Sequence, residues 1–408
     1  MNGRLQAIWG DRQIVLPVVA LVALGIVMVY SASFVLATDR FGDGAYYLRR
    51  QLLYAALGFV VMAACATMPL ARLERLARPA LLGGLVLLAL THVPGVAHRV
   101  AGTARWIAAG GLSFQPAEAM KVALVLWLAA RLARPDARVD RWDGLLPRLA
   151  VVGLVVGLVV AQPDFGTAVL LGVVAAALLF VGGARISHLG LLALAALPVL
   201  YLLVMRVPYR RARVLAFLDP WSHATGSGWQ IIQSFVAVGS GGLFGRGLGE
   251  GQQKLLFLPE PHTDFVAAVV AEELGLVGFS VMVALFALLV VRGLELARRA
   301  PTPFAALLAT GAALTIGVQA IVNLGVVLGC LPTKGLPLPF VSAGGSALVA
   351  ALACAGLLLN VSAAVRSGAP MRAVRAAAVP LARGTATRGA TRRAPAGPVS
   401  PAARRRRP

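Results

Sequence analysis

The chain has 408 residues, of which 59% are hydrophobic and 13% charged. This composition excludes a water-soluble globule, which needs far more polar surface at this size. The net charge of +22 does not indicate nucleic acid, because the cations lie between apolar runs and in a terminal tail, where basic residues set topology or meet anionic lipid head groups.

The first apolar run follows Asp11 and Arg12. It has about the ~20 residues a bilayer crossing needs, and no small-residue cleavage site closes it, so it reads as a retained signal anchor. Ten spans are predicted, at 14–37, 51–69, 79–93, 117–133, 148–162, 167–184, 186–205, 264–291, 303–329 and 341–364. Pro69, Pro79, Pro94, Pro147, Pro163 and Gly182-Gly183 serve as separators. The expected fold is an all-α integral membrane protein of about ten transmembrane helices. Arg72, Arg75, Arg78, Arg131, Arg134, Arg138, Arg141, Arg148, Arg185, Arg292, Arg298 and Arg299 fall on one side, which places both termini in the cytoplasm.

The other side then holds 38–50, 94–116, 162–166, 206–263 and 330–340. Segment 206–263, between helices 7 and 8, is a large periplasmic loop, too long for a mere connection. Residues 1–366 are read as the membrane domain. Residues 367–408, with ten arginines and no acid between 372 and 407, are read as a disordered basic cytoplasmic tail. Cys65, Cys330 and Cys354 lack paired spacing, which argues against a disulfide framework or a zinc site.

Polar chemistry gathers in three outer stretches. In the first, Arg105-Trp106 leads to Pro116, Glu118 and Lys121. Pro116 suits a first helical position, and Glu118 and Lys121 share a helix face. They read either as a stabilising ion pair with an interfacial Trp or as functional groups at the edge of a span. The second runs from Gly239 through Lys254 to Glu260, His262, Thr263 and Asp264. Thr263 is expected to cap a helix beginning at Asp264; Glu272 and Glu273 follow and read as structural partners of basic groups. The third holds Lys334, then Ser342, Gly344 and Gly345. Its paired glycines either open backbone N–H groups to an anion or allow close helix packing. Lysine occurs only at 121, 254 and 334, once in each stretch, among 38 Lys plus Arg. A point charge is not interchangeable with a guanidinium, so these positions suggest contacts with phosphate or carboxylate.

These motifs, with Gln162-Pro163-Asp164-Phe165-Gly166 and Ala271-Glu272-Glu273-Leu274-Gly275, resemble the shape, elongation, division and sporulation (SEDS) family over roughly residues 10–365. Gln253-Lys254-Leu255 before Leu258-Pro259-Glu260 is similar to its division branch, with the rod-shape branch second. Ala104, Ala117, Gln162, Ala343 and Ala347 depart from the family's usual residues. The resemblance implies an inner-membrane peptidoglycan glycosyltransferase at the division septum. It implies lipid II as substrate, with a class B penicillin-binding protein and other divisome proteins as partners. It also implies Asp264 as the essential acid, and Arg50, Trp106, Glu118, Lys121 and Lys334 as the lining of the substrate cleft.

Joining an α-linked diphosphate donor through a β-1,4 bond inverts the anomeric carbon. One displacement therefore suffices, with a base for the incoming hydroxyl and charge compensation for the leaving diphosphate. Asp264 is the expected base and Asp164 its rival. Lys121, Lys334 and Arg50 are the expected cations. A Mg²⁺ or Mn²⁺ ion is left open as a helper with unassigned ligands, and no other cofactor is expected. A lipid II flippase and a division scaffold are the competing classes.

Overall fold

The computed structural model describes residues 10–93, 97–100, 103–109, 112–255 and 257–368. The predicted basic tail beyond residue 368 lies outside the described residues. Among these residues the helices are α1 (Arg12–Phe41), α2 (Tyr46–Thr67), α3 (Leu70–Leu90), α4 (Pro116–Leu132), α5 (Trp142–Ala161), α6 (Phe165–Val181), α7 (Ile186–Met205), α8 (Pro208–Leu218), α9 (Trp229–Ser240), α10 (Val266–Arg299), α11 (Pro303–Val327) and α12 (Gly345–Arg366). Seven of them, α1, α2, α5, α7, α10, α11 and α12, are long and apolar enough to cross a membrane. Helix α6 is apolar but shorter. Helices α3 and α4 carry charge within their length. These ten match the ten predicted spans.

Several boundaries differ from the expectation, each for a physical reason. Pro79 and Pro147 lie inside α3 and α5 and do not separate spans. Neighbouring helices in a bundle compensate the backbone groups that a proline frees. Helix α3 starts at Leu70, because its first turns, with Arg72, Glu74, Arg75 and Arg78, are polar yet helical. An apolar-run reading sees only its second half. The 94–116 segment is not irregular: β1 (Ala97–Val100), β2 (Thr103–Ala109) and β3 (Leu112–Phe114) form an antiparallel sheet in the order β1-β2-β3, with Ile107 opposite both Ala97 and Phe114. The 206–263 segment likewise carries α8, a 3-10 turn at Trp221–His223 and α9.

At ~1.5 Å per residue the 34 residues of α10 would span about 51 Å, well beyond a bilayer core of ~30 Å. The helix resolves this with a break at Gly275 (φ 67, ψ −169). The first part, Val266 to Glu273, is buried throughout, and the remainder forms the crossing.

The far end of α10 fixes the topology. Asp11 accepts hydrogen bonds from Arg292 Nε (3.1 Å), Arg292 Nη2 (2.9 Å) and Ser362 Oγ (2.5 Å), and Arg366 lies 3.9 Å away. The start of α1 and the end of α12 therefore meet at one end of the bundle, as an even number of crossings requires. The arginine bias makes that end cytoplasmic.

Helices α11 and α12 form the buried centre, while α7 has no fully buried residue, leans on the bundle through Leu189 and Leu192, and is otherwise exposed. Apolar exposure of that kind is what lipid accepts.

Candidate functional site

Asp264 lies on the loop that enters α10, two residues before its first turn. The expected cap is absent. Phe265 is the N-cap and makes no side-chain bond, and the Thr263 hydroxyl turns back to the Glu260 carbonyl at 3.3 Å. Asp264 is thus held through its backbone: its carbonyl accepts from Asn323 Nδ2 of α11 at 2.9 Å. Its half-buried carboxyl faces the 331–340 loop, where a Cβ on Gly335 would stand 3.3 Å from Oδ2. Burial pushes its pKa up to about 7. The charge of Glu260 adds to the rise and so does that of Asp164, while Arg213 and Arg105 oppose it.

Three cations lie on the two elements beside this carboxyl, Lys334 on the 331–340 loop and Arg210 and Arg213 on α8. Lys334 stands 4.6 Å from the centre of the Phe165 ring, and the Arg210 guanidinium of α8 lies 5.3 Å from the same ring. Arg213, also on α8, donates to the Thr333 carbonyl at 3.1 Å, fastening α8 to the loop that carries Lys334. None of the three forms an ion pair among the described residues, and burial holds the Lys334 pKa below its ordinary value. Arg105 on β2 has a buried Nε without a hydrogen-bond partner among the described residues. Cations that have no carboxylate partner among the described residues, set beside an aromatic face and an acid of raised pKa, have the chemistry to hold an anion.

Asp164 caps α6 through a 3.1 Å bond from Thr167 N and accepts from Gln115 Nε2 at 3.0 Å. Those bonds occupy both carboxylate oxygens, which favours Asp264 as the free base.

The remaining predicted residues fall into other groups. Lys121 pairs with Glu118 at 2.6 Å, each side chain only 3% exposed, and donates to Gln319 Oε1 at 2.7 Å. Arg50 donates to Tyr46 Oη (2.8 Å) and Ser113 Oγ (3.1 Å), anchoring β3 to α2. Trp106 sits on β2 opposite His98. Lys254 is buried against Glu273 (2.6 Å), Ser31 Oγ (2.7 Å) and the Gly249 carbonyl (2.7 Å). The His262 ring lies tilted against that of Tyr47, centroids 4.5 Å apart, with Glu260 4.0 Å away, and its burial lowers its pKa.

Ser342 Oγ accepts from Leu338 N at 2.8 Å and shapes the loop end. Gly345 begins α12 where any Cβ would overlap the Tyr54 ring, while Gly344, its N-cap, packs beside Pro337. Packing thus explains Gly345. A small enclosed cavity beneath Lys121 is lined by Leu124, Leu128, Leu170, Val174 and Thr315. Its walls are nearly all apolar, and it suits neither sugar nor diphosphate.

Arg105 lies in the first outer stretch but was given no role there, and Arg210, Arg213, Gln319 and Asn323 were not singled out from sequence. Gln319 and Asn323 did carry a signal, as amides four apart in an otherwise apolar span. Arg210 and Arg213 carried none, since arginine is common throughout the loops.

Fold and site together define a multi-pass membrane protein with, at its outer face, an acid and cations that form no ion pair among the described residues. The chain belongs to the FtsW/RodA/SpoVE family of cell cycle proteins, whose model matches residues 12–367. A relative from Geobacter sulfurreducens, named "Probable peptidoglycan glycosyltransferase FtsW", is 47% identical over 361 residues, covering 88% of this chain and 96% of its own. A chain from the solved structure of a peptidoglycan synthase complex, described as coordinating polymerization and crosslinking, superposes with a TM-score of 0.71 at 40% identity, over 86% of this chain and 97% of that one. The Thermus thermophilus rod shape determining protein RodA gives 0.64 at 36% identity, over 86% and 96%.

Proposed function

We propose that this chain is a peptidoglycan glycosyltransferase that polymerises lipid II into glycan strands during septal wall synthesis, with Asp264 as its general base. The observation that carries the reading is a half-buried carboxyl with a pKa of about 7 beside Lys334, Arg213 and Arg105. The FtsW name of its relatives supports the division role.

Asp264 takes the proton from the acceptor sugar's 4-hydroxyl as that oxygen forms its bond to the donor's anomeric carbon. The bond from that carbon to the diphosphate oxygen breaks, and the electron pair leaves with the lipid diphosphate. Lys334, Arg213 and Arg105 balance the charge that develops there. A base with pKa near the working pH is well matched to this task. Among the described residues no three His, Cys, Asp or Glu side chains gather to hold a metal. A divalent ion would therefore depend on the substrate's own oxygens for most of its ligands.

The likeness to a chain of a peptidoglycan synthase complex supports a class B penicillin-binding protein as partner in the bacterial inner membrane. The RodA likeness favours a rod-shape polymerase as the second reading. Purified protein given labelled lipid II should make glycan chains, Asp264→Asn should make none, and Asp164→Asn should retain activity. Lipid scrambling without chains would show a flippase instead.

A further inference from the structure

Resting on the reading of Asp264 as base, we infer that Gln319 and Asn323 of α11 form a frame that positions Asp264 against the 331–340 loop. Lys121 acts through this frame and not on the substrate. The two amides are four residues apart and share a helix face. Asn323 Nδ2 donates to the Asp264 carbonyl at 2.9 Å and to the Leu336 carbonyl at 2.8 Å, so one nitrogen ties the base's backbone to the loop. One turn earlier, Gln319 Nε2 donates to the Pro337 carbonyl at 2.8 Å. Lys334 and Gly335, which face Phe165 and the Asp264 carboxyl, directly precede these anchored carbonyls. The frame therefore sets the separation between the base and the cation that must stand on opposite sides of the reacting carbon.

Lys121 decides which way Gln319 points. Its ammonium needs an acceptor and takes Gln319 Oε1 at 2.7 Å, which leaves the amide nitrogen toward Pro337. A flipped amide would set oxygen against carbonyl oxygen at one end and N–H against ammonium at the other. Glu118, 2.6 Å from Lys121, supplies the countercharge that makes a buried ammonium tolerable. At 3% exposure the Lys121 side chain has no surface left for an arriving diphosphate. Glu118, Lys121, Gln319 and Asn323 are all buried, so the frame is stiff, and each lost bond leaves an unpaired polar group.

A double-mutant cycle on the full-length protein, assayed with labelled lipid II, tests the frame. Gln319→Leu, the charge-neutral Glu118→Gln/Lys121→Met pair, and the three changes combined are compared with wild type. Each of the first two is expected to lower kcat on the order of 10²-fold, the loss an ~1 Å misplacement brings, with KM for lipid II unchanged. The combined variant is expected to be no worse than either. Losses that multiply, or a KM raised by Glu118→Gln/Lys121→Met alone, would put Lys121 on the substrate and overturn the inference. Asn323→Ala removes the other arm without touching the ion pair, and serves even if the paired variant fails to assemble. It should lower kcat with KM kept, and wild-type kcat there would also overturn the frame. Wild-type protein that makes no chains defeats the activity reading and the frame together. Wild-type polymerisation with multiplying losses defeats the frame alone.

Discussion

Asp264 combines a raised proton affinity with a position among cations, and the two effects oppose each other. Burial wins, since the cations on that side are not in contact with the carboxyl and two further acids face it. The proposed base must be ionised, so kcat/KM should rise with pH and reach half its plateau near pH 7, as a pH–rate series on purified protein would read. Stability should move the other way. The native carboxyl binds its proton up to about 7 against 3.8 for the ordinary group, so the native state holds the extra proton between those values. Stability therefore declines as pH climbs through that window. Asp264→Asn should melt higher than wild type in detergent at pH 8 while making no glycan.

At the scale of single residues, the acid was legible because it ended a polar loop at the edge of an apolar run. The helix start was not: the cap expected at Thr263 is absent, because a two-residue extension of the loop shifts the start to Val266.

Among the elements, α10 depends most on one position. Gly275 has φ 67 and ψ −169, a region essentially closed to residues with a Cβ, and its backbone packs against Leu243 and Gly245 of the glycine-rich loop. The carboxylates of the preceding turn hold that loop: Glu272 accepts from Gln252 N (2.8 Å) and Gln253 N (3.2 Å), and Glu273 from Gly249 N (3.0 Å) and Lys254. Gly275→Ala should therefore abolish activity and lower the melting temperature sharply, measurable by fluorescence-detected thermal denaturation.

The spans themselves were legible, since lipid imposes long apolar runs. The β-sheet, α8 and α9 were not. They lie in the polar outer segments, where hydropathy carries little information, and their form is set by contacts with the bundle. Ser113 shows this: its backbone N–H donates to Tyr54 Oη at 3.0 Å and its carbonyl accepts from the same hydroxyl at 2.8 Å, across 59 residues. Arg213 joined the site for a similar reason, its carbonyl partner at Thr333 lying 120 residues away.

For the whole molecule, closure of the bundle comes down to Asp11. One buried carboxylate gathers Arg292, Ser362 and Arg366 from α10 and α12 at the start of α1. Removing the charge from a buried, multiply bonded group is costly. Asp11→Asn should lower the melting temperature by several degrees yet leave polymerisation at 25 °C within about twofold, because the pairing lies at the opposite end from Asp264. A loss of rate matching that of Asp264→Asn would contradict the separation of the two ends.

The latch on the glycine-rich loop has a consequence for how this sequence can change over time. Glu272 and Glu273 grip residues 249, 252 and 253 by their main-chain amides, so what is recognised there is the peptide and not the side chain. Gln252, whose side chain is exposed, is thereby free to drift to almost any residue type. Proline, which has no amide hydrogen to offer, is the substitution this lineage cannot explore.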